Sequence, residues 1–154
     1  MKESDIQGEL GRFLNKHQNE FTETFTCEVK ICKLNRFAFN QVQPHQLVGL
    51  QNSQNGLYIK LSDAFIFDLS TGKSKQGTQR PFDFVFVKTP KTYVSICFYT
   101  PRKHKVCYFM YLERYLELEE QIQQLGKKSC HEEDLEHFCA FKIDLLKKKL
   151  TFIE

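Results

Sequence analysis

From Phe21 to Cys32 the chain alternates. Phe25, Cys27, Val29 and Ile31 are apolar, while Thr24, Thr26, Glu28 and Lys30 between them carry two hydroxyls, a carboxylate and an amine. A period of two is the mark of a strand with one buried face. It commits this stretch to a sheet whose other face carries polar groups. Glu28 and Lys30 then point the same way, about 6.6 Å apart along the strand. A carboxylate and an ammonium so placed can share one pocket. The carboxylate can hold a divalent cation, and the amine can position or polarise a water that attacks phosphorus and stabilise charge on the reacting phosphate. Taken alone the triplet is weak, since average composition yields on the order of one acidic-x-Lys triplet in a chain this long. The plain alternative is an ion pair on a wet sheet face, worth about 0.2–1 kcal/mol.

Other segments supply the remaining elements. Residues 3–18 read as a helix capped by Ser4 with Gln7 three residues on, and Ile6, Leu10, Phe13 and Leu14 fall on one face. Phe37 and Phe39 suggest a short extended piece. Pro44 suits the first position of a second helix, with Val48 and Leu50 on its apolar side, and Asn55-Gly56 is expected to stop it. Leu57 to Leu61 reads as a strand, and 68–80 as a polar, basic loop. Phe82–Val87, Tyr93–Tyr99 and Val106–Leu112, joined by turns, read as an antiparallel meander. Residues 113–125 form a Glu/Gln-rich helix broken at Gly126, and 131–150 a last helix or helix–strand piece. There is no internal repeat. The expected fold is α/β, a central mixed sheet flanked by helices. The core spans 1–112, and 113–154 is a C-terminal helical extension, either separate or part of the same domain.

Composition excludes several classes. With 41% hydrophobic and 27% charged residues the chain is neither disordered nor low-complexity. No apolar run approaches the ~20 residues needed to span a bilayer, so no membrane partner is expected. Met1-Lys2-Glu3-Ser4-Asp5 is polar and no apolar run follows, so no secretory signal is expected. The six cysteines then read as reduced thiols in a cytoplasmic protein. Cys130, His131, His137 and Cys139 match no standard zinc spacing and read as core or helix-face residues. The net charge of +3 is uneven: +6 over residues 1–112, −5 over 113–136 and +2 over 137–154. A basic body with an acidic late segment suits a polyanion-binding surface and a separate solvated or partner-facing helix.

The order of helix, E-x-K strand and a helix opening Pro44-His45-Gln46 resembles the PD-(D/E)xK nuclease superfamily, in particular RecU-like and phage-type Holliday junction resolvases. The resemblance runs from about Thr24 to Gly56, through "CEVKICK", "RFAFNQV" and "QPHQLVGL", with "NGLYIKLSD" beyond it. "RPFDFVFV", "TYVSICFY" and "KVCYFMYL" resemble the second half of phage-encoded members. The resemblance implies a restriction-endonuclease-like fold and a Mg²⁺- or Mn²⁺-dependent endonuclease. In it, Glu28 binds metal, Lys30 assists the attacking water, and Gln46 orients the lysine or the substrate backbone. The family's aspartate on the preceding strand has no counterpart here. Asp83, in "PFD", is the expected second ligand, with Asp63 and Glu9 as further candidates. Lys73, Lys75, Arg80, Lys88, Lys91, Arg102, Lys103, His104 and Lys105, on three basic turns, are expected to meet DNA phosphates. Symmetric cleavage of a junction implies a homodimer. The same motif also suits a repair or restriction-like nuclease, or a non-catalytic nucleic-acid-binding domain of the same architecture.

Overall fold

The computed structural model describes residues 2–21, 23, 25–60, 67–68, 73–74, 84–89 and 91–153. Helix α1 (Glu3–Lys16) buries Ile6, Leu10 and Phe13, spaced four and three residues apart along one stripe. Its start is held by Asp5, whose carboxylate accepts the Lys2 N–H at 2.6 Å, rather than by the expected Ser4. Strand β1 (Phe25–Cys32) follows, then β2 (Arg36–Ala38) and α2 (Pro44–Asn55). Gly56, at φ 102°, ends α2 where a side chain would be strained. Leu50 and Ser53 face inward from this helix, while Val48 is half exposed, contrary to the expected apolar side.

Strand β3 (Leu57–Lys60) pairs antiparallel with β6 (Phe84–Val87), and β4 (Phe67–Asp68) with β5 (Lys73–Ser74). Strands β7 (Lys91–Thr100) and β8 (His104–Tyr111) form a long hairpin. Helix α3 (Leu112–Gln124), β9 (Ser129–His131), α4 (Glu132–Glu136), β10 (Phe141–Asp144) and β11 (Lys149–Phe152) complete the chain. The stretch expected as a last helix or helix–strand piece is thus a five-residue helix followed by two strands.

The central sheet has five strands in the order β1-β7-β8-β10-β11. It is mixed: β1 runs parallel to β7 over all eight of its residues, and the remaining pairs are antiparallel. Of the expected meander, only the β7–β8 hairpin forms. Both edges of β7 are occupied, by β1 and β8, so β6 pairs with β3 instead. The segment after residue 112 is built into the same sheet, because β10 pairs with β8.

Alternation sorts the side chains into two cores. Val29, with the partly buried Phe25, Cys27 and Ile31, faces α1 together with Tyr93, Phe109 and Phe141. The Phe109 and Phe141 rings stack at 4.4 Å. On the other face Val94, Ile96, Tyr108 and Met110 pack against Leu50 of α2 and Tyr115 and Leu118 of α3. Helices therefore cover both faces, which is how a sheet with parallel pairing hides its apolar surface. No helix among the described residues is long and apolar enough to cross a membrane.

Candidate functional site

Glu28 and Lys30 lie on the edge strand of the sheet, on the face that α2 covers. Their register partners on β7 are Val94 and Ile96, so the charged pair sits beside fully buried apolar groups. The Lys30 side chain keeps only 11% of its exposure, against 23% for Glu28. An ammonium so enclosed must be paired, since an unpaired buried charge costs several kcal/mol. Its Nζ donates to Glu28 Oε1 at 2.9 Å.

Gln46 donates to the same oxygen, Nε2 to Oε1, at 2.6 Å. The helix start orients this amide. Gln46 is the third helical residue of α2, and its Oε1 accepts the Gln43 N–H at 2.9 Å in a capping arrangement. The carbonyl end is thus spent on the helix, and the NH₂ end is aimed at the strand. Sequence reading brought Glu28, Lys30 and Gln46 together, and the structure does the same.

One carboxylate went unnoticed in the sequence. Glu3, at the first turn of α1, reaches past the edge of β1 to 4.0 Å from Lys30 Nζ. The ammonium therefore lies between two carboxylates from different elements. Glu9 was the helix glutamate expected here. Instead it lies almost two turns further along α1 and pairs with Lys105 at 2.7 Å. The signal that would have favoured Glu3 is its place at the helix start, where the chain enters next to the edge strand.

Asp83 and Asp63 lie outside the described residues, as do Lys75 and Arg80, and Lys73 is described only as part of β5. Arg102 and Lys103 stand exposed on the β7–β8 turn. Lys105 is 8% exposed and committed to Glu9, so it is not a surface contact. Lys88 is exposed, Lys91 pairs with Glu23 at 3.6 Å, and His104 with Glu132 at 2.6 Å.

Among the described residues no group of three or more His, Cys, Asp and Glu side chains could hold a metal ion. Cys130 and Cys139 are buried core thiols that donate to the carbonyls of Phe37 and Glu136. Burial pushes the Cys130 thiol up to about 12.

A polar seam continues along the same face. Gln54, two turns beyond Gln46, donates to Thr92 Oγ1 at 2.7 Å and to Glu113 Oε1 at 3.1 Å. Thr26 and Thr89 share a hydroxyl hydrogen bond at 2.8 Å. The underside of α2 therefore sets polar contacts to β1 and β7, through Gln46 and Gln54, beside the apolar contact of Leu50 with Val94 and Ile96. The site is a half-buried carboxylate with one oxygen held by two donors, an enclosed ammonium and a second carboxylate beside it. Comparison with known proteins found no matching family model, no matching curated protein and no matching solved structure.

Proposed function

We propose that the chain is a metal-dependent, structure-selective DNA endonuclease of the Holliday junction resolvase type, with Glu28, Lys30 and Gln46 at its centre. One observation carries this reading: Lys30 Nζ and Gln46 Nε2 meet on a single Glu28 oxygen, at 2.9 and 2.6 Å, at the edge of a mixed sheet. Two hydrogen bonds to one oxygen leave the other carboxylate oxygen as the natural ligand for a hard cation. Glu28 is the described residue that would hold Mg²⁺ or Mn²⁺, with Asp83 as the further carboxylate expected from the sequence. A bound ion would polarise the phosphate and lower the pKa of a coordinated water.

The chain's own groups do the remaining work. Lys30, held between two carboxylates, positions the attacking water and offsets charge on the phosphate. Gln46 fixes the Glu28 rotamer, so this first contact is organised before substrate arrives. Cutting two strands symmetrically calls for two such sites, hence a homodimer.

The test is cleavage of labelled four-way junction and linear duplex with Mg²⁺, using wild-type, Glu28→Gln and Lys30→Ala protein. Junction cleavage by wild type, reduced at least about 100-fold in both variants, supports the reading. Cleavage of duplex without preference for the junction points to a repair or restriction-like nuclease. A second reading, a non-catalytic nucleic-acid-binding domain, draws on the absence of a three-residue metal cluster among the described residues. It prevails if wild type and Lys30→Ala bind DNA alike and neither cleaves it.

A further inference from the structure

One end of the central sheet carries two hairpin turns side by side: residues 101–103 between β7 and β8, and 145–148 between β10 and β11. The Leu145 N–H donates to the Lys105 carbonyl at 2.9 Å and holds them together. Three carboxylates at this end are already engaged. Glu9 pairs with Lys105 at 2.7 Å, Asp144 with Lys147 at 3.4 Å and Glu132 with His104 at 2.6 Å. Arg12, Lys16, Arg102, Lys103 and Lys148 enter no ion pair among the described residues, and all five are exposed.

Three of these five cations surround one cleft. Arg12 and Lys16, one helical turn apart on α1, face Lys148 across a cleft of about 480 Å³ that Phe13 and Leu145 also line. Glu9 is the one carboxylate in this lining, and Lys105 neutralises it. The cleft is therefore positive overall. The two non-glycine residues with positive φ among the described residues are Arg102 (61°) and Lys148 (53°), one in each turn. An L-residue pays about 1–2 kcal/mol for that conformation. Both turns accept this strain at a basic residue where glycine would relieve it.

We propose that the Arg12–Lys16–Lys148 cleft seats a backbone phosphate of DNA, and that the strip of cations running from it along both turns carries the neighbouring phosphates. The proposal rests on the nucleic-acid reading above for the identity of its ligand. A polymer is favoured over a single small anion because the uncompensated charges do not stop at the cleft: Arg102 and Lys103 extend them across the adjacent turn. The strip is distinct from the Glu28 site. Six residue steps along β7 separate Val94, beside Glu28, from Thr100 at the turn, roughly 20 Å at strand spacing.

The experiment is fluorescence anisotropy with labelled four-way junction and duplex in EDTA, so that no cleavage intervenes, from 50 to 250 mM KCl. It compares wild type with the double variant Arg12→Ala/Lys148→Ala. The control is Lys127→Ala/Lys128→Ala, which removes the same charge from exposed lysines beside Phe39 on the α3 side. Circular dichroism verifies that all three proteins are folded. The cleft variant should bind on the order of 10-fold more weakly at 100 mM salt and lose about two units of salt slope, the control under about 2-fold. Equal losses in both variants mean net charge alone and overturn the proposal, as does an unchanged cleft variant or a wild type that binds neither DNA. Displacement of DNA by millimolar inorganic phosphate at constant ionic strength, abolished in the cleft variant, identifies a small-anion site and overturns it too. A failure of Glu28→Gln to alter cleavage would sink the nuclease reading and leave this binding result standing.

Discussion

The two faces of β1 are built from neighbouring residues and do opposite things. Toward α1, Val29 joins rings that pack on one another: Phe25 against Tyr93 at 5.2 Å, Tyr93 against Phe141 at 5.4 Å, and Phe141 stacked on Phe109. Toward α2, Glu28 and Lys30 occupy the corresponding places and are satisfied by each other and by Gln46. One strand thus anchors the sheet with its odd positions and presents charge with its even ones. Its position at the sheet edge lets the charged face reach solvent, which an inner strand such as β8, buried from Lys105 to Met110, does not. Removal of an aromatic should therefore cost stability, and removal of a charged group should cost chiefly chemistry.

The largest expected effect is on the α1 side. Phe109→Ala empties the ring stack and should destabilise the protein by about 3–5 kcal/mol, read as a lower urea midpoint at unchanged slope. On the α2 side, Lys30→Met keeps the bulk and removes the charge. Glu28 is still partly hydrated, so the loss of stability should be only about 1–2 kcal/mol, while cleavage should fall with it. A loss as large as that of Phe109→Ala would show that the charged face is as structural as the aromatic one. Gln46→Ala removes the cap and one donor to Glu28 and should cost about 1 kcal/mol in thermal unfolding.

The thiols sharpen the same contrast from the apolar side. Burial, reinforced by the nearby Glu28 carboxylate, pushes Cys27 up to about 12. At pH 8 its thiolate fraction is on the order of 10⁻⁴, so iodoacetamide should leave Cys27 unlabelled in the native protein and label it in urea, as peptide mass spectrometry will show. Native labelling at pH 8 would mean that this partly buried thiol is less shielded than its raised pKa requires. The smallest effect belongs to Glu136. The hydrogen bond from Lys142, at 2.6 Å, holds its carboxyl below the ordinary glutamate value. Its contribution is present above the unfolded-state pKa and is lost as pH falls through the lowered native one. The side chain is about half exposed, so Glu136→Gln should flatten the acid limb of the stability curve by no more than about 0.5 kcal/mol.

Local pattern made much of this legible. The alternation placed Glu28 and Lys30 together, Pro44 and Gly56 bounded α2, and the helix start put Gln46 over the strand. Long-range pairing escaped. Nothing in the Phe82–Val87 run distinguishes a strand beside β7 from one beside β3, because alternation encodes a face and not a neighbour. The exchange of Glu9 for Glu3 has the same origin. A helix wheel says which residues share a stripe, and only the crossing of α1 over the sheet decides which end passes the edge strand. Lys105 looked like its exposed neighbours Arg102 and Lys103 until β8 turned it inward toward Glu9.

The register of β1 on β7 has a consequence in time. Phe25 meets Lys91 and Cys32 meets Phe98, so this contact closes a loop of roughly sixty residues, while the β7–β8 hairpin closes across a short turn. The hairpin should form first and serve as the template, with β1 zipping on late. On a ribosome, the strand bearing Glu28 and Lys30 would wait until β7 has emerged, and premature chain termination before Lys91 would release a polypeptide in which these two charges never find their setting.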